Sequence, residues 1–270
     1  MPTEENSSTA LSIVTQAMKL PGVKVNREAF LLETLKIERS KLDLLIEKGP
    51  IESGLFTPEE IKKIAKKLCN KRTLASSATS FAAGLPGGFA MAATIPADVL
   101  QFWGFNLRIA QEVAYLYGIK DFWDGDELNE ASVQAEMFLF LGTMLGVGGA
   151  ASATRYITIA LARNIATNLP KQALTKTAWY PIMKSLAAYV GIKLTKDTAA
   201  KGISKVVPVL GGIFSGGITY YTMGKMTDRL CEAFDKGVEY TSEEQAEDIE
   251  DIKKEMPEVY DAIFREVDNS

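Results

Sequence analysis

The sequence predicts an all-α fold: a single helical domain with Gly/Pro-punctuated apolar helix hairpins at its centre. Three observations carry that prediction. Apolar residues recur at helical spacing, helix-start signals stand where those patterns begin, and no run of alternating β-branched residues appears. At 270 residues, with 47% hydrophobic residues and a mean hydropathy of +0.02, the chain is long enough and apolar enough to bury a substantial core.

In chain order, residues 1–9 are polar and acidic and read as a disordered N-terminus. A short helix follows at about 10–19, ended by Pro21-Gly22. Dense apolar positions (Phe30, Leu31, Leu35, Leu42, Leu45, Ile46) then predict one long helix over 27–48, stopped by Gly49-Pro50. Thr57-Pro58-Glu59-Glu60 is the clearest start signal, with an N-cap hydroxyl, Pro at the first helical position and Glu at N3. The helix behind it places Ile61, Ile64, Ala65 and Leu68 on one face and Lys62, Lys63, Lys66 and Lys67 on the other.

Three uncharged, small-residue-rich segments come next: 73–97, 137–154 and 206–224. The first contains Gly84-Leu85-Pro86-Gly87-Gly88. Pro lacks an amide donor and Gly leaves helical space readily, so two short helices joined by a tight turn are expected there. From Pro96 a helix runs to about Tyr117, with Gly118 at its C-cap, apolar nearly all round and hence central. One polar seam remains on it, formed by Asp98, Gln101, Arg108 and Glu112 with Phe105 among them. The stretch 121–130 is an acidic loop in which Asp126 caps the next helix; its Gly falls in the wrong register for a calcium loop. A basic connector spans 171–205, and the domain extends to 240. Residues 241–270 form an acidic C-terminal helix and tail, opened by Ser242-Glu243-Glu244-Gln245 and interrupted at Pro257.

The net charge of −4 conceals an asymmetry. Residues 1–136 hold 15 basic and 18 acidic side chains, residues 137–225 hold 10 and one, and residues 226–270 hold 5 and 15, which sum to the 30 and 34 of the whole chain. The basic block suits anionic lipid or an acidic partner, unless the acidic C-terminal helix folds back on it and cancels the charge internally. Its lysines are not interleaved with a stacking aromatic platform, which argues against nucleic acid. Histidine is absent, removing the usual general base and the commonest transition-metal ligand, and no cofactor motif or metal-ligand spacing stands in its place. The two cysteines, Cys69 and Cys231, read as free thiols in helix interiors, as expected of a reducing compartment. The N-terminus lacks the basic and apolar regions of a secretory signal, which places the protein in the cytoplasm.

Glycines four apart (Gly84 and Gly88, Gly142 and Gly146, Gly212 and Gly216) make flat stripes when they lie on a helix. Such stripes serve close packing in a soluble core, or small-xxx-small contact in lipid. The half-helices around Pro86 are too short to cross the roughly 30 Å hydrocarbon layer, Val206–Gly224 is interrupted by Pro208, and 137–154 is the best spanning candidate.

Five motifs in order carry a family resemblance: Gly84-Leu85-Pro86-Gly87-Gly88; Pro96-Ala97-Asp98 with Gln101; Ala114-Tyr115-Leu116-Tyr117-Gly118; Val190-Gly191-Ile192-Lys193-Leu194; and Pro208-Val209-Leu210-Gly211-Gly212. Over roughly Arg27 to Arg229 the chain resembles the EcsC family, named for a bacterial gene beside those of an ABC exporter. The Asp-helix-Tyr-Gly portion is also similar to the hydrophobic helical domain appended to some bacterial GTPases. The GxxxxGK[ST] phosphate loop is missing, so nucleotide hydrolysis does not carry over. The resemblance implies a bacterial helical protein tied to membranes or secretion and supplies no catalytic residues.

The function expected from these readings is non-enzymatic: association with the cytoplasmic membrane face or with a membrane or secretion partner. The alternative is a soluble helical module that binds a partner or a hydrophobic ligand. Gly84, Pro86, Gly87, Gly88, Pro96, Asp98, Gln101, Arg108, Glu112, Tyr117, Gly118, Pro208, Gly211 and Gly212 are its candidate packing or functional motif. Lys171, Lys176, Lys184, Lys193, Lys196, Lys201 and Lys205 are its candidate anionic-lipid surface. Asp98 and Glu112 lie about 21 Å apart along one helix, too far to flank one bond, and Arg108–Glu112 reads as a local i,i+4 pair.

Overall fold

The computed structural model describes residues 14–77, 97–124, 127–128, 136–162 and 216–264. Their regular elements are helices apart from one antiparallel pair of two-residue strands, as the all-α reading requires. A helical turn over 14–18 leads through a turn at Pro21-Gly22 into α1 (Arg27–Leu35), a 3-10 turn (Arg39–Lys41) and α2 (Leu42–Lys48). The single helix expected over 27–48 is thus broken. Lys36 adopts a left-handed conformation (φ 53°), and its amide closes α1 on the Leu32 carbonyl. The break lets α2 return against α1, where the buried Arg27 donates from Nη1 to the Ile46 carbonyl and Leu45 enters the core. No Gly or Pro marks this point; the long-range contact overrides local helix preference.

The capping box at Thr57 forms as expected. Glu60 N–H donates to Thr57 Oγ1, the Thr57 amide donates to Glu60 Oε2, and α3 runs Pro58–Ser77 with Ile61, Ala65 and Leu68 buried. Helix α3 therefore continues through the first residues of the 73–97 apolar segment. The central helix α4 spans Ala97–Leu116. Its end is a Schellman motif: Ile119 N–H reaches the Ala114 carbonyl, Gly118 N–H reaches that of Tyr115, and Gly118 has φ +89°. Gly118 serves a second purpose, since a Cβ on Gly49 would lie 2.8 Å from its Cα; two backbones touch there.

The loop at 121–130 contains an antiparallel pair, β1 (Trp123–Asp124) with β2 (Glu127–Leu128). Asp126 itself lies outside the described residues. The spanning candidate at 137–154 is not one helix. It splits into α5 (Phe138–Leu145) and α6 (Ala150–Ala162), reversed at Gly146, which takes φ +73° in a second Schellman motif. Both glycines of this pair line contacts: a Cβ on Gly142 would lie 3.2 Å from Ala150 Cβ and one on Gly146 3.1 Å from Arg229 Cζ, but Gly146 ends the helix rather than extending a stripe. Among the described residues no helix is long and apolar enough to cross a membrane.

The third apolar segment yields α7, which starts at Gly216 and continues far beyond the glycines to Val238. It is the hub of the fold, packing along α3, α6 and α5 and touching α4. Helices α8 (Ser242–Glu255) and α9 (Pro257–Phe264) follow. The cap of α8 is Thr241, one residue before the expected Ser242, in a full capping box with Glu244. Aromatic rings run through the core in an unbroken series, Phe30–Tyr115–Phe122–Phe140–Phe234–Tyr117, with centroids 5.1–6.4 Å apart. The series ties α1, α4, α5 and α7 together, each pair adding roughly 0.5–1.5 kcal/mol beyond its buried area.

Candidate functional site

The polar seam of α4 is the natural place to look for chemistry, because polar groups buried on an apolar helix must be satisfied by something. Glu112 has no side-chain exposure and is bonded by two guanidinium groups. Arg108 Nε donates to Glu112 Oε1 at 3.0 Å, the expected i,i+4 pair. Arg72 from α3 makes the stronger contact, a fork in which Nε meets Oε2 at 2.7 Å and Nη2 meets Oε1. Arg108 also donates from Nη1 to the Gly22 carbonyl, tying the N-terminal turn to α4. One residue away, Gln111 donates to the Val23 and Leu107 carbonyls and accepts from the Val25 amide and from Trp123 Nε1. Glu112 and Gln111 therefore clamp α3 and the 20–25 turn onto α4. Asp98 and Gln101 stand on the first turns of the same helix, their side chains outside the described residues.

Around Tyr117 a second cluster forms between α3, α4 and α7. The Tyr117 hydroxyl donates to Asp235, whose other oxygen lies 3.5 Å from Lys62 Nζ. Burial first, and the Asp235 carboxylate second, hold the Tyr117 phenol far above its ordinary 10.0, so it is a fixed donor. The sulfurs of Cys69 and Cys231 lie 3.1 Å apart beside this cluster, both as free thiols. Cys231 is held protonated by its contact with Cys69, then by burial, with Asp235 and Asp228 acting the same way. Sequence reading found Tyr117 and both cysteines but could not pair residues 162 positions apart.

A third cluster docks the acidic helix. Arg155 of α6 forks onto Asp248 of α8, Tyr240 donates to the same carboxylate, and Ser152 donates to Asp251. The Asp248 hydrogen bond raises the Arg155 guanidinium above its ordinary value, and burial followed by Asp248 raises the Tyr240 phenol. Arg155, the first basic side chain of the 137–225 block, is thereby paired with the acidic C-terminal helix, while most of the block's other basic residues lie outside the described residues.

Of the candidate motif, Arg108 and Glu112 meet, and Tyr117 and Gly118 sit at the far end of the same helix. Gly84, Pro86, Gly87, Gly88, Pro96, Pro208, Gly211 and Gly212 lie outside the described residues, as do Lys171, Lys176, Lys184, Lys193, Lys196, Lys201 and Lys205. Arg72, Asp235, Arg155 and Asp248 were missed; only the local charge pattern was visible, and each partner lies on another helix. Within the described residues no group of three metal-ligating side chains converges. No family model, no curated protein and no solved structure matches the chain.

What these clusters do chemically is join helices: each carboxylate accepts from a guanidinium or a phenol held in its protonated form. The exposed face of α3 is different. Lys63, Lys66 and Lys67, then Asn70, Lys71 and Leu74, recur at i, i+3, i+4, i+7, i+8 and i+11, all exposed. Lys62, one position out of that stripe, has Asp235 beside it. The four stripe lysines have no acidic partner among the described residues.

Proposed function

We propose that this chain is a non-enzymatic, EcsC-like helical protein that binds peripherally at the cytoplasmic face of a membrane, through anionic lipid or a membrane-bound secretion partner. The observation that carries the reading is the lysine stripe of α3, about 12 Å long between Lys63 and Lys71 at helical rise. Each basic side chain near an anionic leaflet contributes about 1 kcal/mol, so four on one face suffice for weak, reversible attachment. The exposed Leu74 (57%) adds apolar surface at the end of the stripe. The candidate lysines from Lys171 to Lys205 carry the same sign. The saturated Glu112 and the protonated Tyr117 support a structural rather than a catalytic seam.

Sedimentation with vesicles tests the reading. Binding is expected to phosphatidylcholine vesicles containing phosphatidylserine, weakening as salt screens charges beyond about 8 Å, and absent from phosphatidylcholine alone. Replacing Lys63, Lys66, Lys67 and Lys71 by Glu should reduce binding at least tenfold. Equal binding to both vesicle types, indifferent to salt, would exclude the mechanism. No vesicle binding together with a thermal shift on adding a fatty acid would favour the hydrophobic-ligand module instead.

A further inference from the structure

Helices α3 and α7 lie antiparallel: Lys62 meets Asp235 at one level, and Cys69 meets Cys231 about two turns further along α3. At that level the two sulfurs face each other at 3.1 Å in a nearly closed environment, Cys69 being 2% exposed and Cys231 8%. Each sulfur is the other's hydrogen-bond partner. A free cysteine behaves as a small hydrophobe, and what distinguishes it is its reactivity. Forming a disulfide requires a sulfur–sulfur distance of about 2.05 Å, an approach of roughly 1 Å, within reach of small side-chain rotations.

We infer that Cys69 and Cys231 constitute an oxidisable dithiol, converted by a hydroperoxide into a disulfide that staples α3 to α7. The inference is independent of the membrane reading. In the first step one cysteine, as thiolate, attacks a peroxide oxygen. A sulfur–oxygen bond forms, the oxygen–oxygen bond breaks, and the departing hydroxide takes up the proton the thiol released. In the second step the other thiol attacks the sulfenic sulfur; the sulfur–sulfur bond forms and the sulfur–oxygen bond breaks. The second hydroxide leaves as water with the remaining thiol proton. Two electrons pass from the sulfur pair to hydrogen peroxide, which becomes two molecules of water. A resolving thiol already in contact favours the disulfide over further oxidation of a lone sulfenic acid. The contact with Cys69, then burial and the neighbouring acidic groups, keep the Cys231 thiol protonated, so the pair reacts more slowly than an exposed thiol.

The chemical consequence is large because the staple encloses everything between positions 69 and 231: the central helix, the hairpin of α5 and α6, and all three apolar segments in full. Closing so long a loop restricts the unfolded chain, and α3 with its lysine stripe could no longer part from α7.

The test uses the full chain, purified under reducing conditions and then exposed to excess hydrogen peroxide. The expected product has lost two hydrogens by intact mass, yields a cross-linked peptide containing Cys69 and Cys231, and no longer takes up an alkylating reagent after denaturation. Dithiothreitol should reverse all three changes, and the oxidised form should melt at least roughly 5 °C higher. Thiols that remain fully alkylatable, oxygen adducts on either cysteine, or a cross-linked dimer would each overturn the inference. Cys231→Ser and Cys69→Ser guard against a nonspecific effect of peroxide. Neither variant should gain melting temperature on oxidation, and a gain in either would overturn the staple.

Discussion

The Arg72–Glu112–Arg108 cluster and the Arg155–Asp248–Tyr240 cluster solve one problem, holding a carboxylate in a helix interface, with different partners. Glu112 is wholly withdrawn from water and carries two guanidinium groups, one from its own helix and one from α3. Asp248 keeps slight contact with solvent and carries one guanidinium and one phenol, and α8 packs against α6 and α9. The central cluster joins elements that the core cannot do without. The second fastens an acidic helix that adds Ile252 to the core and packs mainly on α6 and α9. A buried ion pair says little about net stability when compared with apolar substitutes, but removing one partner strands the other. The comparison therefore predicts global failure in the first case and local detachment in the second.

The largest effect is expected from Glu112→Ala. It leaves two partly buried guanidinium groups without their carboxylate and should cost about 3–5 kcal/mol, read as a cooperative loss in denaturant unfolding. A loss below about 1 kcal/mol would show that the arginines simply turn outward. Asp248→Ala should cost less, about 2–3 kcal/mol, and in a different manner. Protease cleavage within 241–256 should accelerate while the near-ultraviolet spectrum of the core is retained; simultaneous loss of both would erase the distinction between the clusters.

Alkaline pH sharpens the same contrast. Tyr117, Tyr115 and Tyr240 all have folded-state values raised above the ordinary 10.0, chiefly by burial. The unfolded chain loses these protons first, so the stability they confer is complete below about pH 10 and declines as pH rises above it. Melting temperature should fall from pH 9.5 to 11. Tyr240→Phe should make the protease sensitivity of α8 independent of pH in that range while leaving the core transition sloped. The smallest effect belongs to the cap of α8. Thr241→Ala removes its hydroxyl from the Glu244 amide and should cost about 1 kcal/mol, confined to α8 in hydrogen exchange.

The same division separates what could be read in advance from what could not. The Thr57-Pro58-Glu59-Glu60 start, the apolar and lysine faces of α3, the burial of α4 and the glycine ending at 118 all depend on residues within one or two turns of each other. So does Arg108–Glu112. The Thr241 cap missed its position by one residue because Ser242 is an equally good capping residue by composition. The candidate lysines from 171 to 205 and the turn at Gly84–Gly88 fall outside the described residues. The α3 stripe that carries the functional proposal was visible only as a solvated helix face.

By itself the sequence determined an all-α chain with its main helix starts, its amphipathic faces and the acidic character of its C-terminal helix, because caps and helical periodicity act over a few residues. Tertiary structure alone decided that 27–48 breaks at Lys36, that 137–154 folds into a hairpin, and that α7 becomes the hub. It also decided that Arg72 reaches Glu112, that Arg155 reaches Asp248, and that Cys69 meets Cys231. Each of these contacts is worth only a few kcal/mol and joins residues 40 to 162 positions apart. Local preference cannot select among so many possible partners; the joint packing of α3, α4, α6 and α7 does, because only one arrangement buries all their apolar faces at once.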